Sequence, residues 1–162
     1  MKAHLLRVDR PVVEFAPLIA AVRQDGGRVG WLELADLAAP SPEPLPSSLT
    51  AAATAGVLRA VAVGGGQSVA VKPMRGEPVL RDVLREHFRG CRLVLVHGDP
   101  STHGVDASQL APDGESDDWF LSASGDPQPR RLDTGSLVAA LRRPDPWFAD
   151  TSIVTLGKPS DV

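Results

Sequence analysis

The chain has 162 residues, a formal net charge of −3, 43% hydrophobic and 23% charged residues, a composition that excludes a wholly disordered polymer. No apolar run approaches the roughly 20 residues of a membrane span, and charges break the apolar stretch of Met1–Asp9 too early for a secretory leader. A single cysteine, Cys91, excludes an intrachain disulfide framework and a multi-cysteine zinc site, so a cytoplasmic location is the expectation.

In chain order, residues 3–8 read as a first strand. Residues 14–24 carry Phe15, Leu18, Ile19 and Val22 at helical spacing and stop at Gly26-Gly27. Trp31, Leu32, Leu34 and Leu37 favour a helix over 31–38. Prolines 40, 42, 44 and 46 fit neither a helix interior nor a central strand, so 40–47 reads as an extended connector. Ser48 is placed to cap a short Ala-rich helix ending at Gly56. Residues 57–63 and 68–72 read as strands joined by a tight turn at Gly64-Gly65-Gly66-Gln67.

The clearest helix is 78–89. It has Val79, Leu80, Val83, Leu84, His87 and Phe88 on one face and charges on the other. Arg92–Val96 is nearly continuous in apolar character, as in a strand buried on both faces. Residues 98–118, rich in Gly, Pro, Ser and Asp, read as a long irregular loop. A strand over 118–123 follows, then a helix capped by Asp133 or Thr134 and ended by Pro144, and a strand at Ile153–Leu156.

These elements predict an α/β fold: a mixed sheet with flanking helices, containing a strand–helix–strand unit at about 68–96. The expected organisation is a single domain over 1–143, with the connector 40–47, the acidic loop 98–118 and a tail at 144–162.

Charge is segregated. Residues 59–92 hold seven basic and three acidic side chains; residues 99–126 hold seven acidic and no basic ones. The first stretch suits an anion and the second a cation, unless the two stretches face each other or water. Arg outnumbers Lys 14 to three in a Pro-, Gly- and Ala-rich chain. That usage follows GC-rich coding and is no sign of nucleic-acid binding. With no Tyr, three Trp and four Phe, a row of base-stacking aromatics is not expected.

Several motifs carry chemistry. Gly64-Gly65-Gly66 lacks the lysine of a Walker loop and the third glycine of a dinucleotide fingerprint, where Val69 stands. Val69-Ala70-Val71-Lys72 resembles the lysine strand of protein kinases, but no His-Arg-Asp or Asp-Phe-Gly accompanies it. Val69–Gly76, the following helix and Arg92–Val96 together are similar to the acetyl-CoA-binding segment of GNAT-type acetyltransferases. Arg75-Gly76 match the start of that family's pyrophosphate loop, and Glu77-Pro78 depart from it. The resemblance implies acyl-CoA binding; separately, the basic residues Lys72, Arg75, Arg81 and Arg85 are candidate ligand- or anion-binding residues. Arg81, Arg85 and Arg89 form a basic stripe, offset by Glu77, Asp82 and Glu86 at helical spacing.

His97-Gly98-Asp99-Pro100-Ser101-Thr102-His103 begins where a buried strand ends, the place where open α/β sheets put ligands. His97, Asp99 and His103 are candidate metal ligands and candidate catalytic residues, with His97 as general base oriented by Asp99. Asp113–Asp118 concentrates carboxylates without the ligand order of an EF-hand. Cys91 lies one helical turn after His87 and is a candidate nucleophile, though a free cysteine is more often a buried small hydrophobe. Trp147-Phe148 is a candidate anchor against the body of the domain or a partner subunit.

Each catalytic pattern is incomplete. The function expected from sequence is therefore a non-catalytic cytoplasmic binding or interaction module, for a protein partner or a small ligand, with homo-oligomers through Trp147 and Phe148. The alternative expectation is a small enzyme: an acyl-CoA-dependent transferase, or a metal-assisted hydrolase centred on His97, Asp99 and His103. No cofactor is specified.

Overall fold

The apolar Leu5, Leu6 and Val8 set β1, His4–Val8, and the apolar run after Arg92 sets β5, Leu93–His97. The computed structural model describes residues 3–34, 47–74, 76, 79–123, 126 and 128–142. The chain divides into two compact units, Met1–Leu34 with Val79–Val162, and Ala35–Pro78.

The larger unit is built on six strands: β1, β2 (Val29–Glu33), β5, β6 (Ser108–Pro112), β7 (Trp119–Ser122) and β8 (Arg130–Leu132). Their order in the sheet is β2-β5-β1-β6-β7-β8. The first four of these neighbours run parallel; β7 is antiparallel to β6 and β8 to β7. The mixed α/β sheet expected from sequence is present.

Helices cover both faces. Helix α1 (Ala16–Gln24), entered through a 3-10 turn at Val12–Phe15, and helix α4 (Thr134–Leu141) pack on one face. There Phe15, Leu18, Val22, Leu137 and Leu141 meet Leu6, Val8, Leu93 and Leu95. Helix α3 (Leu80–His87) covers the other face, where Leu80 and Leu84 meet Leu5, Val94 and Val96. The consecutive residues Leu93–Val96 are all inaccessible, as a central parallel strand requires. Asp133 caps α4 as expected, accepting from the Ser136 N–H at 2.7 Å.

The smaller unit is a helix and a hairpin: α2 (Ser47–Thr54), β3 (Ala60–Gly64) and β4 (Gln67–Val71). Gly65 and Gly66, at φ +58° and +75°, make the two-residue turn, the positive-φ pair a tight hairpin needs. Leu49 and Ala60 are buried; Val61, Val63 and Val69 are exposed.

Three expectations are corrected, for residues 31–38, 98–118 and His87, and strand β8 was not among the expected elements. Residues 31–33 are strand, not helix, because β2 pairs with β5 along its whole length and Gly30 lets its backbone lie against the Phe88 ring. The stretch 98–118 is not one irregular loop: it holds a 3-10 turn at Pro100–His103 and strand β6, hydrogen-bonded on both sides. Strand β8 carried no apolar run to announce it. Strand β4, α3 and β5 follow one another as expected, but β4 pairs with β3 in its own two-stranded sheet, so β4 and β5 do not share a sheet. His87 is exposed at the end of α3 rather than on its buried face. The strand expected at Ile153–Leu156 and residues 40–46 of the connector expected over 40–47 lie outside the described residues, and Ser47 begins α2.

An ionic clasp ties three elements of the larger unit. Asp25, just after α1, accepts from Arg92 Nη1 at 2.6 Å and from Arg142 Nε at 2.7 Å. Hydrogen bonds from Arg142 and Arg92 hold its carboxyl down at about 2, outweighing burial. A carboxyl lowered in the folded state stabilises above its ordinary range, and that contribution fades as pH falls from about 4 towards about 2. Asp25→Asn is therefore expected to lower the melting temperature at pH 7, with the gap to the parent closing towards pH 2. Equal melting temperatures at pH 7 would remove the clasp from the account.

Candidate functional site at the carboxyl ends of the parallel strands

Strands β1 and β5 are neighbours, yet their outgoing connections part. The chain leaving β1 enters α1 on one face of the sheet; the chain leaving β5 places Val105 and Ala107 on the other. Such a divergence opens a crevice beyond the strand ends, the usual ligand position in open α/β sheets. Asp9 and Arg10 follow β1, Glu33 ends β2, and His97-Gly98-Asp99 ends β5.

His97 is in register with Val8 of β1 and Glu33 of β2. Its Nδ1 lies 2.8 Å from Glu33 Oε2, and the Trp31 indole donates to Glu33 Oε1 at 2.8 Å. Trp31 and Glu33 stand two apart on one strand, so both project from the same face. The Trp31 ring also stacks on the His97 imidazole, with centroids 5.8 Å apart and planes 26° apart. Behind it Phe15 lies 6.1 Å from Trp31 and 5.8 Å from Trp119, joining the rim to the core.

Burial pushes the Glu33 carboxyl up, but the hydrogen bonds from His97 and Trp31 together prevail and hold it below its ordinary value. An ionised carboxylate only accepts, so the imidazole donates to it from Nδ1, and in the neutral ring the lone pair is then on Nε2. The His97 side chain is 39% exposed, which leaves it reachable from solvent.

Asp99 does not orient His97. It caps the 3-10 turn, accepting from Ser101 N at 3.0 Å and Ser101 Oγ at 2.7 Å, and it faces Arg7 at 3.3 Å. Those hydrogen bonds from Ser101 outweigh burial and lower its carboxyl. The Asp-Pro-Ser sequence supplies the cap of this turn. Residue Glu33, which the helical reading of 31–38 hid, takes the role expected of Asp99.

His103, at the end of the same turn, is half-buried. Among the described residues no three His, Cys, Asp or Glu side chains are grouped to hold a metal ion, so His97, Asp99 and His103 are not gathered into a metal centre. Lys72 follows β4 in the smaller unit, whereas Arg81 and Arg85 lie on α3 of the larger one. The strand and helix of the acetyltransferase-like segment thus belong to different units. Arg85 pairs with Asp82 at 4.0 Å across one helical turn. Arg75, Trp147 and Phe148 lie outside the described residues.

Local cations offset part of the acidic stretch. Arg131 of β8 binds Asp113 and Asp118, each at 2.8 Å. Nearby, a cleft of about 500 Å³ is lined by Asp9, Arg10, Glu14, Asp113, Asp117 and Trp119 among others. Cys91 is partly buried against the α3 face, and burial pushes its thiol up with Arg28 only partly opposing. A raised thiol holds less of the reactive thiolate.

No protein-family model matches the chain, and no curated protein matches it in sequence. Among the described residues no helix is long and apolar enough to cross a membrane.

Proposed function

We propose that this chain is an α/β binding module that takes a small polar ligand at the carboxyl-end rim of β1, β2 and β5. The observation that carries this reading is the His97–Glu33–Trp31 cluster. It places an imidazole, a carboxylate and an aromatic face together at the strand ends where the β1 and β5 connections part. A hydroxyl or amide N–H of the ligand donates to His97 Nε2, and its apolar part lies over the exposed edge of the aromatic pair. The module acts in the cytoplasm. Binding a protein partner or a second copy of the chain is the second reading; the rim is favoured because it gathers an imidazole, a carboxylate and an aromatic ring at one place.

A thermal-shift screen against uncharged polar compounds, nucleotides, acyl-CoAs and divalent metals tests this, with mass followed by light scattering. A ligand present at about 100 times its dissociation constant adds about 2.7 kcal/mol of stability. The expected result is stabilisation by a neutral hydroxyl- or amide-bearing compound, lost in His97→Ala and in Glu33→Gln. A flat screen combined with a defined oligomer would move the reading to protein association. Stabilisation that survives both substitutions would place the site elsewhere.

A further inference from the structure

We infer that His97 is a general base at this rim and that its substrate is a neutral carboxylic ester, cleaved by water. The inference rests on the reading that a small polar ligand occupies the rim. Surface histidines usually rotate freely and share their proton between both nitrogens. Here the ring is held twice, by Glu33 at 2.8 Å through Nδ1 and by the stacked Trp31. Glu33 is itself held by Trp31 Nε1 at 2.8 Å. The nitrogen left over, Nε2, is an acceptor in a fixed direction, which is what proton abstraction requires.

Charge selects the substrate class. Carboxylates of Asp9, Glu33 and Asp99 stand at the ends of three adjacent strands. Arg7 faces Asp99 at 3.3 Å and Arg10 faces Glu14 at 3.0 Å. These pairs cancel, which leaves Asp9 and Glu33 as the excess charge, and the rim repels an anionic phosphoester while admitting a neutral ester.

The step balances without a cofactor. A water proton passes to His97 Nε2 as the water oxygen bonds to the acyl carbon, and the carbonyl electron pair moves onto oxygen. When the carbonyl re-forms, the carbon–oxygen bond to the leaving group breaks. The imidazolium proton then goes to the departing oxygen, giving an acid and an alcohol. Glu33 touches no reacting atom; it is a positioning residue that keeps the proton on Nδ1 and faces the imidazolium when it forms.

The test uses the full chain with p-nitrophenyl acetate as the probe and p-nitrophenyl phosphate as the anionic comparator. Ester release is expected to fall about 100-fold in His97→Ala and on the order of 10-fold in Glu33→Gln, with partial recovery in Glu33→Asp. His87→Ala, an exposed histidine on α3, is expected to leave it unchanged. Nitrogen-15 NMR is expected to find the His97 proton on Nδ1 in the parent and divided between the nitrogens in Glu33→Gln. Circular dichroism establishes that each variant folds. Ester release independent of His97, release depending equally on His87, or faster cleavage of the phosphate would each overturn the inference. Acetanilide, an amide of the same acyl group, separates the two readings. If it perturbs the His97 and Trp31 signals while ester release ignores His97, general-base catalysis fails and rim binding stands. If it perturbs nothing and no release occurs, both fail.

Discussion

Leu95→Ala is expected to lower the unfolding free energy by about 2–5 kcal/mol, a sizeable share of the roughly 5–15 kcal/mol that holds a typical domain together. Leu95 is wholly inaccessible and lies mid-strand in β5, in register with Leu6 of β1 and Trp31 of β2. Its side chain faces α1 and α4, among Phe15, Leu18, Val22 and Leu137. Removing it strips apolar contact and leaves a void that the sheet backbone cannot close, since β5 is hydrogen-bonded on both edges. Urea denaturation should give a lower midpoint at unchanged slope. Leu95→Met should cost less than about 1.5 kcal/mol because volume is kept. Val13→Ala, at a site 72% exposed, should stay within about 0.5 kcal/mol. If Leu95→Ala and Val13→Ala cost the same, the α1–β5–α4 core is wrongly placed.

How far the sequence announced this arrangement depends on where each element finds its partners. Strand β5 was legible because burial on both faces writes itself as an unbroken apolar run. The β3–β4 hairpin was legible because Gly65 and Gly66 supply the positive φ its turn needs. Helix α4 was legible through Asp133 and the spacing of Leu137, Val138 and Leu141. Each of these signals is local.

Strand β2 was not legible. Trp31, Leu32 and Leu34 fit a helical face as well as a strand, and what decides is pairing with β5, more than 60 residues away in the chain. Strand β6 offers only Ser108 and Leu110 as fully buried positions in a Pro- and Asp-rich stretch. It exists because β1 and β7 flank it. The site failed in the same way. Proximity in sequence nominated Asp99 as the partner of His97, but the partner is Glu33, 64 residues distant. The position of His97 at a strand end was readable; its carboxylate was not, because only the sheet register brings the two together.

The residue that separates these two carboxylates is Gly98, and Gly98→Ala is the second large effect expected. Had β5 continued as a strand, Asp99 would project from the same face as His97. Gly98 instead adopts φ +130°, which turns the chain into the 3-10 turn that Asp99 caps. A methyl group there would lie 2.5 Å from the Leu34 carbonyl oxygen and 2.9 Å from Leu34 Cβ. The nearest obstacle is backbone, which cannot swing aside as a flexible side chain can. The Leu34 N–H also donates to the His97 carbonyl at 2.9 Å, so the ends of β2 and β5 are fastened at this point. Relieving the clash means parting them, and that draws Glu33 away from His97. Strain at a positive φ and overpacking together put the cost at about 2–4 kcal/mol. The same substitution should also free the His97 ring, so that its proton divides between the two nitrogens by NMR. Stability within about 0.5 kcal/mol of the parent, with the proton still confined to Nδ1, would mean that the two strand ends are not joined as described. A stability loss with the Nδ1 proton retained would confine the role of Gly98 to folding and leave the His97–Glu33 pair intact.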